Sequence, residues 1–141
     1  MQEIVTLLTN HMVLTLALII VLACIGILES IRSHKNKQGL SVVQAVDQIN
    51  HHHAVVIDIR SKEHFQAAHV INAISIALQV LQADFQKTVE KFKTKPIILV
   101  CGAGQVSQKM ALQHKQNGHI YYLSGGMRAW TDAHMPLTKD K

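Results

Sequence analysis

Apolar and polar residues change their spacing several times along the chain. From Ile4 to Leu28 there is no Asp, Glu, Lys or Arg, and Met12 to Leu28 is almost unbroken apolar sequence. At about 1.5 Å per residue the longer window, Ile4 to Leu28, covers roughly 37 Å, enough to cross a hydrocarbon core of about 30 Å, so one transmembrane helix is predicted. A short polar linker, residues 33–39, follows. Ser41-Val-Val-Gln44 has the spacing of a capping box, and Val42, Val43, Val46 and Ile49 recur at helical intervals, predicting a helix that ends near His51. Ala54 to Ile59 reads as a buried strand, Ser61 as the cap of a short helix, Ile74 to Ile76 as a brief strand, and Val80 to Phe92 as one full helix. Ile97 to Val100 is a wholly apolar β-favouring run that stops at Cys101. Ser107 then opens an amphipathic helix closed by Asn117 and Gly118. Ile120 to Leu123 is a fourth strand, after which Gly125-Gly126 turns the chain into a short helix carrying Trp130. Strands alternating with helices predict an α/β domain with a mainly parallel sheet over residues 40–141, behind an anchor at 1–32.

Charge orients this arrangement. All fourteen Lys and Arg follow the apolar run, and Arg32, Lys35 and Lys37 crowd its C-terminal flank. By the positive-inside rule that flank faces the cytoplasm, which places a single-pass protein in the inner membrane with its C-terminal domain cytoplasmic. A cleaved signal peptide fits less well, because Met1-Gln2-Glu3 has no basic residue and no Ala-x-Ala site follows. Val21-Leu-Ala-Cys24 has some likeness to a lipoprotein box but lies inside the apolar run. Residues 30–141 hold fourteen basic and seven acidic side chains, a net +7 with His neutral, which favours anionic headgroups or small anionic substrates. Nucleic acid is not an expected partner, since the basic residues are scattered and aromatics make up only 4 % of the chain.

The candidate chemistry lies at the turn after the central apolar strand. Of the two cysteines, Cys24 falls in the membrane run and Cys101 in the turn, so no disulfide framework is expected. Gly102 and Gly104 permit positive φ, so successive amides can curl toward one point, and the helix that follows adds the positive end of its dipole. Such a turn suits an anion and favours a thiolate, the form that attacks sulfur and carbon electrophiles. The competing reading is an inert cysteine buried at a strand end. Asp58 and Arg60 also come from the C-terminal end of a strand, where sites gather in parallel sheets. His51-His52-His53 cannot converge on one ion, and no metal or cofactor is expected. His69 reads as a loop tie, Trp130 as a core side chain, and Lys87 to Lys95 as a solvated face.

Four ordered stretches resemble the rhodanese-like (sulfurtransferase) domain family, in its membrane-anchored single-domain bacterial form. They are Asp58-Ile-Arg60; Glu63-His-Phe65 leading to Ala68-His-Val-Ile-Asn-Ala73; Leu99-Val-Cys101 with Gly104 and Ser107; and Leu123-Ser-Gly-Gly-Met-Arg-Ala-Trp130. The resemblance implies that Cys101 carries sulfane sulfur as a persulfide between a donor and a thiol acceptor. The loop Gly102, Ala103, Gly104, Gln105, Val106 and Ser107 would hold it, Ser107 from the helix N-cap, with Asp58 and Arg60 bracing neighbouring loops. Family members often carry Arg at the second and sixth loop positions, here Gly102 and Val106, so thiosulfate is a poor expected donor. The phosphatase branch needs Arg six residues after the cysteine, where Ser107 stands. The alternative implied is a weak or inactive scaffold that docks a protein, such as a membrane-protein partner, at the cytoplasmic face.

Overall fold

The computed structural model describes residues 12–35, 38–92, 94–116 and 119–140. The expected outer tail, the Lys37 flank, Lys93 of the lysine-rich face and the Asn117-Gly118 helix stop lie outside them. The chain divides into two units, Met1–Lys37 and Gln38–Lys141.

In the first unit, α1 is Met12–Lys35. Its Met12–Ser30 span, with a mean hydropathy of 2.7, is long and apolar enough to cross a membrane, a test that a signal sequence near an N-terminus also passes. The helix includes Ser33 to Lys35, which the sequence pattern assigned to the linker.

The second unit begins with β1 (Gly39–Leu40), whose Gly39 the sequence pattern assigned to the linker, and α2 (Val42–His52). The capping box forms as its spacing predicts: Gln44 N donates to Ser41 Oγ at 3.3 Å, and Ser41 N to Gln44 Oε1 at 2.9 Å. Then come β2 (Val55–Asp58), α3 (Lys62–Ala67), β3 (His69–Val70), β4 (Ile74–Ser75), α4 (Leu78–Ala83), α5 (Phe85–Glu90), β5 (Ile97–Val100), α6 (Gln105–Gln113), β6 (Ile120–Leu123), α7 (Gly126–Asp132) and β7 (Leu137–Thr138). One sheet has the order β1-β6-β5-β2-β4 with every pair parallel, and β3 and β7 form a separate antiparallel ribbon.

The central strand β5 is covered on both faces, which is why it reads as an unbroken apolar run. Ile97 and Leu99 pack with Leu81 of α4, Phe85 and Val89 of α5 and Met110 of α6. Ile98 and Val100 point the other way, toward Ala45 of α2 and Met127 and Trp130 of α7. With helices on both sides, only the strand ends and their loops remain open for chemistry.

The single helix expected over Val80 to Phe92 is two. Asp84 leaves helical geometry (φ −147°, ψ 63°), and its carboxylate accepts from Lys87 N at 3.3 Å, capping α5. Leu81, Phe85 and Val89 nevertheless stay buried, because their four-residue spacing survives the break.

Near the end of α6, the ring of His114 stacks on Phe85 with centroids 3.7 Å apart. Desolvation there lowers its pKa from the ordinary imidazole value. The folded state therefore binds fewer protons than the unfolded one as pH falls. The contribution is fully present above about 6.5 and is lost as pH drops from there through the folded value. Urea titrations of the parent and His114→Gln, followed by fluorescence of the single Trp130, should show the parent losing stability relative to the variant between about pH 7.5 and 5. A pH-independent difference would show that His114 is not desolvated.

Candidate active site

Cys101 follows the last residue of β5 and is 5 % exposed. Its Sγ accepts from Gly104 N at 3.1 Å and Ser107 N at 3.5 Å, and lies 3.3 Å from Ser107 Oγ. Ser107 Oγ is also 3.1 Å from Gly104 O. With one hydrogen on that hydroxyl, two arrangements are available. A thiol donates to Oγ while Oγ donates to the carbonyl; a thiolate instead receives the hydroxyl proton, adding a third donor to the two amides.

Helix α6 starts earlier than its sequence suggested. Its N-cap is Gly104 (φ 88°), which makes Ser107 the third helical residue rather than the cap. This follows from geometry: the side chain of a third helical residue folds back over the first turn, and here it reaches the sulfur. Gly104 has the expected positive φ, whereas Gly102 does not. Of the six loop residues named from sequence, Gly104 and Ser107 touch the sulfur. Gly102, Ala103, Gln105 and Val106 are exposed along the rim, and their amides make no bond to it.

A second glycine turn holds the loop in this pose. Met127 N donates to Cys101 O at 2.9 Å and Arg128 N to Gly102 O at 3.1 Å, so the start of α7 takes the carbonyls of the first two loop peptides. The approach is too close for a side chain. A Cβ on Gly126 (φ 58°) would collide with Cys101 O and lie 2.7 Å from Gly104 N, and a Cβ on Gly104 would lie 2.8 Å from Gly125 N. The sequence showed Gly125-Gly126 as a turn; that it clamps the cysteine loop is visible only in three dimensions.

Asp58 and Arg60 hold each other beside the loop. Arg60 Nε lies 3.0 Å from both carboxylate oxygens, and Nη2 donates to Oδ2 at 2.7 Å and to Ala68 O at 2.6 Å. Asp58 is buried, and neither residue touches the sulfur. His69 is buried, with Nδ1 2.8 Å from Phe65 O, and Trp130 is a core side chain whose Nε1 donates to Pro136 O at 3.1 Å. Among the described residues there is no His, Cys, Asp and Glu cluster able to hold a metal.

An open cleft of about 670 Å³ adjoins the loop at Gly102; its walls include Arg60, His64, Ala68, Arg128 and Asp132. The sequence reading named Arg60 and weighed cations between Cys101 and Ser107, and passed over Arg128 and His64. The signal was present in Gly-Gly-Met-Arg-Ala-Trp130, where Arg128 directly follows a residue whose amide faces the cysteine.

Residues 41–133 match the family model described as the rhodanese-like domain. The chain belongs to the rhodanese-like family. It is similar over its whole length, at 28 % identity, to uncharacterized protein YibN of Escherichia coli (strain K12), whose full length is also covered. Thiosulfate sulfurtransferase GlpE of Coxiella burnetii (strain RSA 493 / Nine Mile phase I) is 28 % identical over 101 residues, covering 70 % of this chain and 91 % of the relative. Among solved structures, a rhodanese-related protein from Thermoplasma volcanium superposes with a TM-score of 0.63 at 20 % identity, covering 72 % of this chain and 97 % of that one. That likeness is one of fold.

Two substitutions probe the supports on either side of the cysteine loop in this rhodanese-like domain. Gly126→Ala should cost about 3 kcal/mol or more, from positive φ and backbone collision together, read by urea denaturation of the full chain in detergent. A loss under about 1 kcal/mol would mean that the two turns separate without cost. Asp58→Ala strands the Arg60 guanidinium in a mostly buried site and should cost about 3 kcal/mol. A near-neutral result would show that Ala68 O and water suffice for Arg60.

Proposed function

We propose that this rhodanese-like domain is a sulfurtransferase that carries sulfane sulfur as a persulfide on Cys101. The observation that supports it is the convergence of Gly104 N, Ser107 N and Ser107 Oγ on a buried sulfur at the start of a helix. Donors preorganised around a buried atom stabilise negative charge there, both in the thiolate that attacks and in the persulfide anion that results. The thiolate attacks the outer sulfur of a donor, the donor's bond to that sulfur breaks, and the donor's remainder departs with the electron pair. A thiol acceptor later removes the sulfur and regenerates Cys101. The thiosulfate sulfurtransferase name of the Coxiella burnetii relative agrees with this class of reaction.

The loop lacks guanidinium groups at Gly102 and Val106. At about 1.5 to 3 kcal/mol for each hydrogen bond to a charged group, two such absences weaken the handling of a dianion such as thiosulfate by about 10² to 10⁴ fold. That departure favours one rival, a scaffold that docks a partner with the cysteine idle. We further propose that α1 spans the inner membrane, with the basic flank and the domain on the cytoplasmic side.

Incubating the purified full chain with a panel of sulfane donors should add one sulfur atom at Cys101, read by intact mass, and Cys101→Ser should abolish it. No adduct with any donor, or an unchanged adduct in the variant, would favour the scaffold. Externally added protease should spare the domain in intact bacterial spheroplasts and cut it once the membrane is opened. Cutting without opening would reverse the orientation.

A further inference from the structure

We infer that Arg128 is the specificity-determining cation of this site, selecting organic persulfides whose thiol portion carries a carboxylate. The inference rests on the persulfide reading above and deepens it by naming the substrate class.

The cleft beside the loop has two arginines in its walls, and only one is available. Arg60 is committed to Asp58 through three side-chain bonds and to Ala68 O through a fourth. The Arg128 side chain is exposed and makes no hydrogen bond or ion pair among the described residues. Its backbone is fixed beside the loop, because Arg128 N donates to Gly102 O at 3.1 Å, one residue from the sulfur-bearing cysteine. Gly102 leaves that wall open, since a Cβ there would meet no atom within 4 Å. The loop has no cation of its own, and α7 supplies one to the wall of the adjoining cleft.

Three features select the ligand. A cleft of about 670 Å³ is far larger than a small inorganic anion needs and leaves room for an organic thiol. A single planar guanidinium matches one carboxylate through paired N–H donors, whereas a compact dianion at the sulfur would call for cations inside the loop. Asp132, one helical turn after Arg128 and in the wall of the same cleft, disfavours a second negative charge there. The transfer balances without a redox partner. The Cys101 thiolate attacks the terminal sulfur of R–S–SH, a new sulfur–sulfur bond forms as the old one breaks, and R–S⁻ leaves. Its proton comes from the new Cys101 persulfide, giving R–SH and the persulfide anion.

The test is a charge series of similar size: the persulfides of mercaptopropionate (carboxylate), mercaptoethanol (neutral) and cysteamine (ammonium), with the full chain in detergent and single-turnover sulfur loading of Cys101 as readout. In the parent the carboxylate donor should load fastest. Arg128→Gln should reduce the carboxylate-to-neutral rate ratio about tenfold, and Arg128→Glu should invert the preference toward the ammonium donor. A ratio within one protein cancels any general loss of fold. Loading in the parent without carboxylate preference, or an unchanged ratio in Arg128→Gln, overturns the role of Arg128 and leaves the persulfide reading intact. If Cys101 loads with none of the three donors nor with thiosulfate, the persulfide reading itself fails, and this inference with it.

Discussion

Two hydrogen bonds between turns far apart in sequence govern the site: Met127 N to Cys101 O and Arg128 N to Gly102 O. They fix the first two peptide units of the cysteine loop, whose own amides, Gly102 N and Ala103 N, make no bond to the sulfur. The sulfur accepts from amides further along the loop, Gly104 N and Ser107 N. The pose of the loop around Cys101 therefore rests on an outer clamp that never touches the sulfur. The clamp in turn depends on Gly104, Gly125 and Gly126, since each has positive φ and would place a Cβ against the opposing turn or its own helix.

The parallel sheet makes that encounter possible. Strands β5 and β6 are neighbours, paired from Ile97 with Ile120 to Leu99 with Tyr122, so the loops leaving their C-terminal ends emerge side by side. Helix α6 then packs on one face of the sheet and α7 on the other. The cysteine loop lies where these two connections part, as expected for sites on open α/β sheets. On the other flank of β5, the Asp58–Arg60 pair fixes the end of β2 and reaches across to Ala68 O. The cleft next to the loop thereby gains a rigid wall and loses one of its cations to structure.

Much of this was legible in the chain. The apolar run Ile97 to Val100 had to be covered on both faces, the Ser41 capping box could form without tertiary help, and alternating periodicities announced an α/β domain. Local signals were weaker where two conformations compete. Asp84 suited either a helix interior or a cap, and it caps α5, splitting the expected helix. The two-residue strands β1, β3 and β7 carry no periodicity of their own; they exist because a partner strand supplies their hydrogen bonds.

Sequence alone determined the family, the strand that ends at Cys101 and the absence of arginine between Cys101 and Ser107, because these are matters of order and side-chain type along one stretch. Tertiary structure decided which amides face the sulfur, that Ser107 reaches it from inside the helix, and that Arg128 rather than Arg60 is the available cation of the cleft. The reason is physical. The direction of a main-chain dipole and the pairing of a charge depend on neighbours brought close by folding, and residues distant in the chain leave no local trace of that meeting.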